Sequence, residues 1–398
     1  MKIDVMTKDK DTKTVVPALR FPEFRDGEGW IPNKIDHVCK IGNGRDYKHL
    51  SAGNIPVYGS GGYMTSVDKF LYDGESVCIG RKGTIDKPIF LTGKFWTVDT
   101  LFYTYAFYKC LPKFLYLIFQ QINWHKYNEA GGVPSLLKTT IGNINIFIPN
   151  NESEQKKIVD CFSCLDDLIS AVADKIETLK EYKKGLMQQL FPAEGKTIPA
   201  IRFPEFQNAR EWKQIKLRDV GEPLMCKRIL KEQTTNEAVG NIPFYKIGTF
   251  GGNPDAYISK DILEDYKRKY SYPNKGDILI SAAGTIGRLV VFDGKPAYFQ
   301  DSNIVWIGNS ETKILNAFLY CVYQTLKWQT SDGGIVSRLY NSDLKNMTII
   351  FPENKIEQQK IADCLLSVDE LISIEIAKLD QLKAHKKGLM QQLFPKLQ

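Results

Sequence analysis

The sequence is poor in the residues that most often build metal and acid–base sites. Histidine is scarce, and the four in the chain are His37, His49, His125 and His385. None has a cysteine or a carboxylate at ligand spacing. The eight cysteines include one close pair, Cys161 and Cys164, and no second pair completes a zinc site. We interpret that pair as small buried hydrophobic residues of a helix and expect no metal site in this chain.

Long apolar runs are also missing. No run reaches the roughly 18 residues of a membrane span, and the first 16 residues are charged throughout, unlike a signal peptide. Hydrophobic residues make up 43% of the chain and charged residues 25%, which suits a globular protein with sizeable cores. The sequence therefore predicts a cytoplasmic protein with no membrane association.

Recognisable catalytic patterns are absent as well. The sequence has no GxxxxGK[ST] phosphate loop and no serine–histidine–acid or cysteine–histidine set. Asn253-Pro254 matches only the first half of an amino-methyltransferase motif, and Asp255 with Asp265 and Lys267 loosely fits a metal-dependent nuclease. We predict a recognition chain that is not an enzyme, and keep a self-contained DNA nuclease or methyltransferase as the alternative.

The positive charge is unevenly distributed. The net charge is +7, while residues 152–191 carry −2 and residues 355–394 carry 0, so the rest of the chain carries +9. A basic surface suits an acidic partner such as nucleic acid. A basic surface that is merely solvated is an equally good interpretation of charge alone.

The chain is two copies of one unit of roughly 200 residues. Residues 17–24 (PALRFPEF) recur as 199–206 (PAIRFPEF), and the same ten residues, KKGLMQQLFP, end both copies. Between these flanks the copies share only short pieces: Gly83-Thr84-Ile85 recurs at 284–286, and Gly131-Gly132-Val133 with Ser135 recurs as Gly333-Gly334-Ile335 with Ser337. The second copy also has about fifteen extra residues between 245 and 276. A duplicated frame with divergent middles is expected of two binding modules that read different targets.

Each copy ends in a long amphipathic helix. Apolar residues are spaced alternately by four and three, the repeat of a coiled coil, so we predict that the two helices pack on each other; the alternative is that each packs on its own globular part. Glu375 interrupts the seam where copy one has Val172, and Gly185 and Gly388 predict a bend or an early end. The predicted packing residues are Ile158, Phe162, Leu165, Ile169, Val172, Ile176, Leu179, Ile361, Leu365, Val368, Ile372, Leu379 and Leu382.

Both middles alternate short apolar runs with glycine, proline and aspartate, which predicts an α+β fold with largely antiparallel sheets. Their loops mix small, polar and basic residues that can approach phosphates and base edges. Ordinary glycine-rich hairpin turns are the alternative. The candidate DNA-binding residues are Tyr58, Ser60, Tyr63, Arg81, Lys82, Thr84, Lys246, Thr249, Ser281, Thr285, Ser337, Arg338 and Tyr340.

These motifs together resemble the specificity subunit of type I restriction–modification systems. The resemblance covers nearly the whole chain and rests on RFPEF followed by tryptophan, IPVYGSGG, DGESVCIGRKGTI, FWTVDTLFY, GGVPSL and KKGLMQQLFP. One departure is Asp86, where copy two has the expected glycine, Gly287. A carboxylate at that position would repel DNA, which puts a phosphate contact of the copy-one loop in doubt.

The resemblance implies two target-recognition domains joined by two antiparallel helices, with an internal pseudo-two-fold repeat. Each domain would read one half of a bipartite, asymmetric site in double-stranded DNA. The helices would set the spacing and dock two modification subunits. Those partners would carry S-adenosylmethionine and adenine methylation, and restriction subunits would add ATP-driven, Mg²⁺-dependent cleavage. No cofactor is expected in this chain. A scaffold that binds only protein is a third possibility.

The expected domains follow from the repeat and the resemblance. A flexible segment (1–16) precedes the first recognition domain (17–151) and the first spacer helix (152–192). The second recognition domain (193–354) and the second spacer helix (355–395) complete the chain.

Overall fold

In the computed structural model, which describes residues 14–328 and 338–396, the chain divides into two compact units. Unit 1 comprises Met1–Asp174 and Ile376–Gln398, and unit 2 comprises Lys175–Glu375. Each unit therefore contains one globular middle, the first part of one long helix and the last part of the other. The five consecutive domains expected from the sequence remain a prediction.

Unit 1 is a mixed α+β unit. Its strands are β1 (Ile31–Lys34), β2 (Lys40–Asn43), β3 (Ala52–Gly59), β4 (Gly62–Val67), β5 (Tyr72–Asp73), β6 (Ser76–Gly80), β7 (Ile89–Leu91), β8 (Lys94–Thr97), β9 (Leu101–Tyr105) and β10 (Asn145–Ile148). Its short helices are α1 (Ile35–Val38), α2 (Pro112–Phe119) and α3 (Lys138–Gly142), and the long helix α4 (Glu152–Leu190) begins in it. All of β6 is buried, as expected from its unbroken run of small and apolar residues.

Unit 2 repeats this construction. Its strands are β11 (Lys213–Lys216), β12 (Pro223–Leu224), β13 (Ile242–Tyr245), β14 (Tyr257–Ile258), β15 (Ile278–Ser281), β16 (Leu289–Val291), β17 (Tyr298–Phe299), β18 (Ile304–Ile307) and β19 (Thr348–Phe351). Its helices are α5 (Lys260–Lys269), α6 (Asn316–Thr325) and α7 (Asn341–Asn346), and the long helix α8 (Lys355–Leu393) begins in it. The extra residues of copy two include α5, whose first turn is capped by the Ser259 hydroxyl, which accepts from the Ile262 N–H.

The sheets of the two units correspond in strand order, except that β5 has no named counterpart among the described residues of unit 2. Unit 1 has sheets of order β1-β10, β2-β9-β6-β7 and β4-β3-β8-β5, and unit 2 has β11-β19, β12-β18-β15-β16 and β14-β13-β17. All named strand pairs are antiparallel except β3 with β8 and β13 with β17. The predicted α+β class with largely antiparallel sheets is confirmed. The repeat also extends through middles whose sequences share little.

Each long helix has 39 residues, which corresponds to about 58 Å at 1.5 Å per residue. Both continue through Gly185 and Gly388 and end just before Phe191-Pro192 and Phe394-Pro395, so the predicted early end is wrong. Apolar packing at the seam on both sides of a single glycine outweighs its cost of about 1 kcal/mol. Cys164 of α4 is exposed, which also corrects the predicted burial of the cysteine pair.

The helix ends belong to the globular cores. In unit 1, Phe162 near the start of α4 packs with Phe394 just after α8, and the Phe394 ring lies 5.6 Å from Trp30 and 5.5 Å from Phe114. In unit 2, Phe191 lies 5.7 Å from Trp212 in a core that includes Leu365 of α8. In each unit, the beginning of one helix meets the end of the other. The helix segments therefore run antiparallel, packed on each other and on the globular part.

The predicted seam is buried in varying degree. Ile158, Phe162, Ile361 and Leu365 lie in the two cores, with Leu165 packed against the first of them. Val172, Ile176 and Val368 are also buried, whereas Ile169, Leu179, Ile372, Leu379 and Leu382 are half-buried. Within unit 2, the buried Glu375 carboxylate pairs with Lys175 of the other helix at 2.5 Å. Its charge is therefore compensated, as a seam carboxylate requires.

A buried ion pair closes the frame of each unit. The Arg20 guanidinium donates two hydrogen bonds, both of 2.7 Å, to the Glu154 carboxylate in the first turn of α4, and the Trp30 indole N–H donates to the same group. This pairing raises the pKa of Arg20. Arg202, Trp212 and Glu357 repeat the arrangement in unit 2. Over residues 14–328 and 338–396, no helix is long and apolar enough to cross a membrane.

Candidate nucleic-acid interface

The loop after β6 is held by two neighbouring segments of unit 1. The Arg81 N–H donates to the carbonyl of Thr100 at 2.8 Å, and the Arg81 carbonyl accepts from the Leu136 N–H at 2.9 Å. Lys82 forms an antiparallel bridge with Ser135. The RKGT and GGVPS motifs, about fifty residues apart in the sequence, therefore lie side by side in the structure.

The loop after β15 in unit 2 has the same neighbours. Ala282 takes the place of Arg81: its N–H donates to the Asn303 carbonyl, and its carbonyl accepts from the Leu339 N–H. Ala283 forms a bridge with Arg338. Structurally, Ser135 therefore corresponds to Arg338, one residue later than the sequence repeat indicates. Ser337 itself lies outside the described residues.

Arg81 and Lys82 line an open groove of about 520 Å³ in unit 1, together with Asp99 and Ser135. Both basic side chains are exposed. Thr84, two residues after Lys82, is half-buried. The groove combines two cations with one carboxylate, and this net positive charge suits contact with a phosphodiester chain.

Three predicted residues lie at the hairpin between β3 and β4. Tyr58 and Tyr63 are cross-strand neighbours whose rings are 6.1 Å apart, and Tyr63 is 63% exposed. Ser60 is half-buried in the turn. The exposed tyrosine face suits stacking or hydrogen bonding to an extended ligand, whereas Tyr58 packs partly against a core cluster.

The predicted residues of unit 2 divide into exposed and internal groups. Thr285 and Tyr340 are exposed, and Arg338 is half-buried. Lys246 pairs with Asp255 at 2.8 Å, and the Thr249 hydroxyl bonds within the turn formed by residues 246–249. Lys246 and Thr249 are therefore both committed to local contacts.

Ser281 requires a correction. Its side chain is 1% exposed, and its hydroxyl donates to the Thr285 carbonyl at 2.6 Å and accepts from the Arg288 N–H at 2.8 Å. A hydroxyl that satisfies two backbone groups inside a loop shapes that loop. Ser281 therefore has a structural role, and contact with DNA would require the loop to open.

The structure explains why copy two has a glycine, Gly287, where copy one has Asp86. Gly287 has a φ of +81°, and a Cβ there would lie 2.2 Å from the Trp328 ring. In unit 1, the Asp86 carboxylate lies 3.4 Å from the His125 imidazole, and the tryptophan that corresponds to Trp328 is Trp124, which packs on Phe119 as Trp328 packs on Tyr323. Unit 2 therefore requires glycine at this position, whereas the carboxylate in unit 1 lies beside an imidazole.

The carboxylates of the alternative nuclease pattern are engaged by cations. Asp255 pairs with Lys246, and Asp265 on α5 pairs with Arg268 and Lys269 of its own helix. The Lys269 contact lowers the pKa of Asp265. Across residues 14–328 and 338–396, no three histidine, cysteine or acidic side chains are grouped as metal ligands.

Sequence reasoning missed Asp99 and Ser135, which line the groove beside Arg81, and His125, which lies beside Asp86. Ser135 belongs to a repeated, glycine-rich segment of the sequence, but its β-bridge with Lys82 cannot be inferred from a single sequence. Glu154 and Glu357 were also missed, although their recurrence at an offset of 203 within the near-identical frame was visible in the sequence.

Comparison with known proteins agrees with this architecture. The family described as type I restriction modification DNA specificity domain matches residues 27–181 and 209–384. A Haemophilus influenzae protein named as a type I restriction enzyme specificity subunit is 40% identical over 84% of this chain and 86% of its own length. The type I restriction enzyme MjaVIII specificity subunit of Methanocaldococcus jannaschii is 28% identical over 81% of this chain and 77% of its own.

A solved structure shares the fold. The S subunit of a type I restriction–modification system from M. genitalium superposes with a TM-score of 0.68 at 16% identity, covering 96% of this chain and all of that one. The fold and the two matched segments define a duplicated DNA specificity protein. The chain belongs to the type I restriction–modification specificity family, as its motifs predicted.

Proposed function

We propose that this chain determines the DNA sequence specificity of a type I restriction–modification complex, with each unit reading one half of a bipartite, asymmetric site. The observation that carries the proposal is the corresponding strand order of the two units together with their different loop chemistry. Arg81-Lys82 in unit 1 corresponds to Ala282-Ala283 in unit 2, while Arg20 and Glu154 are repeated as Arg202 and Glu357. A common frame with different reading surfaces suits two different half-sites.

The long helices would set the distance between the half-sites and dock two modification subunits, to which restriction subunits are added in the full complex. We further propose that the chain is non-catalytic and cytoplasmic. S-adenosylmethionine, ATP and Mg²⁺ would be bound by the partner subunits. The buried seam residues, which pack the two helix segments together within each unit, support this part of the proposal.

Sequencing of the methylated genome of cells that contain the complete system tests the proposal. We expect adenine methylation at one motif with two specified halves and an unspecified gap. Replacing residues 220–350 with the corresponding region of a relative should change one half of the motif and leave the other half and the gap intact.

The matched control replaces the corresponding region of unit 1, residues 38–148, and should change only the opposite half. If either exchange altered both halves, or if neither altered the motif, the assignment of one half-site to each unit would be wrong.

A further inference from the structure

The two units bring an arginine to the same place from different chain segments. In unit 1, Arg81 follows β6, and its guanidinium donates to the Asp99 carbonyl at 3.4 Å. In unit 2, the residue that follows β15 is Ala282, and the arginine is instead Arg338 of the opposite bridged segment. The Arg338 guanidinium donates to the Ser302 carbonyl at 3.1 Å.

Asp99 and Ser302 are equivalent positions. Their successors, Thr100 and Asn303, supply the carbonyls that accept from Arg81 N–H and Ala282 N–H. The two guanidinium groups therefore contact the same point of the shared fold. In unit 1, Arg81 and Ser135, the latter corresponding to Arg338, also line one groove. The cation can thus reach this point from either wall of the groove.

The two arginines of the buried ion pairs, by contrast, keep the same position in the sequence of both copies. Arg20 and Arg202 occupy the same motif in both copies and form the same ion pair with the first turn of a long helix. An arginine that changes segment but keeps its spatial position indicates that the position itself requires a cation. Because Arg81 is exposed, most of its five N–H donors remain available to a ligand.

We propose that this point in each unit is an anchor for the phosphodiester backbone of DNA, with Arg81 as the anchoring residue of unit 1 and Arg338 that of unit 2. The proposal rests on the proposed function. It selects phosphate over base edges because two half-sites of different sequence share only their backbone. The groove around Arg81 also includes Lys82 and the Asp99 carboxylate, so its charged side chains are two cations and one anion.

The test measures binding of the chain, assembled with its modification subunits, to a duplex that contains the motif identified by methylation sequencing. Arg81→Ala should weaken binding about tenfold and reduce the slope of log K against log salt by about 0.9, the value for one phosphate. Adding Ser135→Arg to Arg81→Ala should restore the affinity to within about threefold of wild type and restore the slope, because unit 2 uses that wall.

Lys40→Ala is the charge-matched control. Lys40 is exposed and lies opposite Tyr105 in the sheet, at the end of β9 that is farthest from Thr100. The Lys40→Ala variant should therefore change the affinity less than twofold. Arg81→Gln, which keeps a polar side chain of similar length, should behave like Arg81→Ala. The circular dichroism melting curve of each variant is compared with wild type to establish that it is folded.

Different outcomes would contradict the proposed function and the phosphate anchor. If the wild-type complex recognised no bipartite site, the proposed function would fail. If it did, but folded Arg81→Ala bound like wild type or Ser135→Arg gave no rescue, the anchor would be wrong. Relaxed specificity at one base pair with an unchanged salt slope would also overturn it, because Arg81 would then read a base.

Discussion

Glu154 connects three parts of unit 1 through one buried carboxylate. It accepts from the Arg20 guanidinium and the Trp30 indole, and its side chain is 1% exposed. Removing one partner of a buried pair leaves the other charge uncompensated, which costs about 3–5 kcal/mol. We expect Glu154→Gln to lower the free energy of unfolding by that amount in urea titrations followed by tryptophan fluorescence.

Glu152→Gln is the matched control, because Glu152 lies in the same helical turn but is exposed. Its effect should stay within about 0.5 kcal/mol. Equal losses for the two variants would show that helix charge, and not the buried pair, stabilises the unit.

Gly287 should tolerate no side chain. Gly287→Ala adds a Cβ 2.2 Å from Trp328 in addition to the cost of a φ of +81°. Gly284 shares a positive φ of +65°, but its Cβ would meet only Ile247 at 3.9 Å. Both variants should lose about 1–2 kcal/mol from backbone conformation, and Gly287→Ala about 1–3 kcal/mol more from overpacking. Thermal unfolding of the two variants measures the difference, and similar melting temperatures would contradict it.

At the level of elements, the ends of the long helices should control the stability of distant parts of the sequence. Phe394 packs on Trp30 and Phe114 of unit 1, so Phe394→Ala should cost unit 1 about 3–5 kcal/mol. Hydrogen exchange followed by mass spectrometry should show faster exchange in β1 and α2. The mirror variant, Phe191→Ala, should act on α6 of unit 2. Faster exchange confined to residues adjacent in sequence would refute this cross-packing.

Sequence alone was sufficient for elements whose signal is local. The alternation of four and three predicted both long helices, and short apolar runs between glycine, proline and aspartate predicted strands in both middles. It was insufficient where pairing is non-local. The parallel contact of β3 with β8 spans about forty residues, and nothing in either strand specifies its partner. Ser281 was misjudged for a different reason: its hydroxyl bonds only to the nearby Thr285 and Arg288, and a polar residue at the end of a strand gives no sign of being buried.

The same limit applies to the candidate site. Motif composition identified Arg81, Lys82 and Arg338, but their spatial relation depends on bridges to Ser135 and Ala283 that connect distant segments. The sequence repeat paired Ser135 with Ser337 because the residue types match, whereas the bridges make Arg338 the structural counterpart of Ser135. Which basic residues occupy equivalent places is thus a property of the fold.

At the level of the whole molecule, the two units share topology but not the residues of the alternative nuclease pattern. Asp255 and Asp265 occur only in unit 2, where lysine and arginine neutralise both. An enzyme that performed one reaction at two equivalent places would keep the same groups in both units. We therefore expect the purified chain to transfer no methyl group from S-adenosylmethionine and to cut no DNA with Mg²⁺, whereas the chain with modification subunits methylates the duplex.

Transfer of a radiolabelled methyl group and gel analysis of the duplex measure the two activities. The decisive variant is Asp255→Asn combined with Asp265→Asn. Both carboxylates are exposed or half-buried and lie outside the proposed anchor, so the variant should support methylation as well as wild type when modification subunits are present. Cleavage or methylation by the chain alone that this double variant abolishes would make the chain a catalyst, and the division of labour between recognition and chemistry would be wrong.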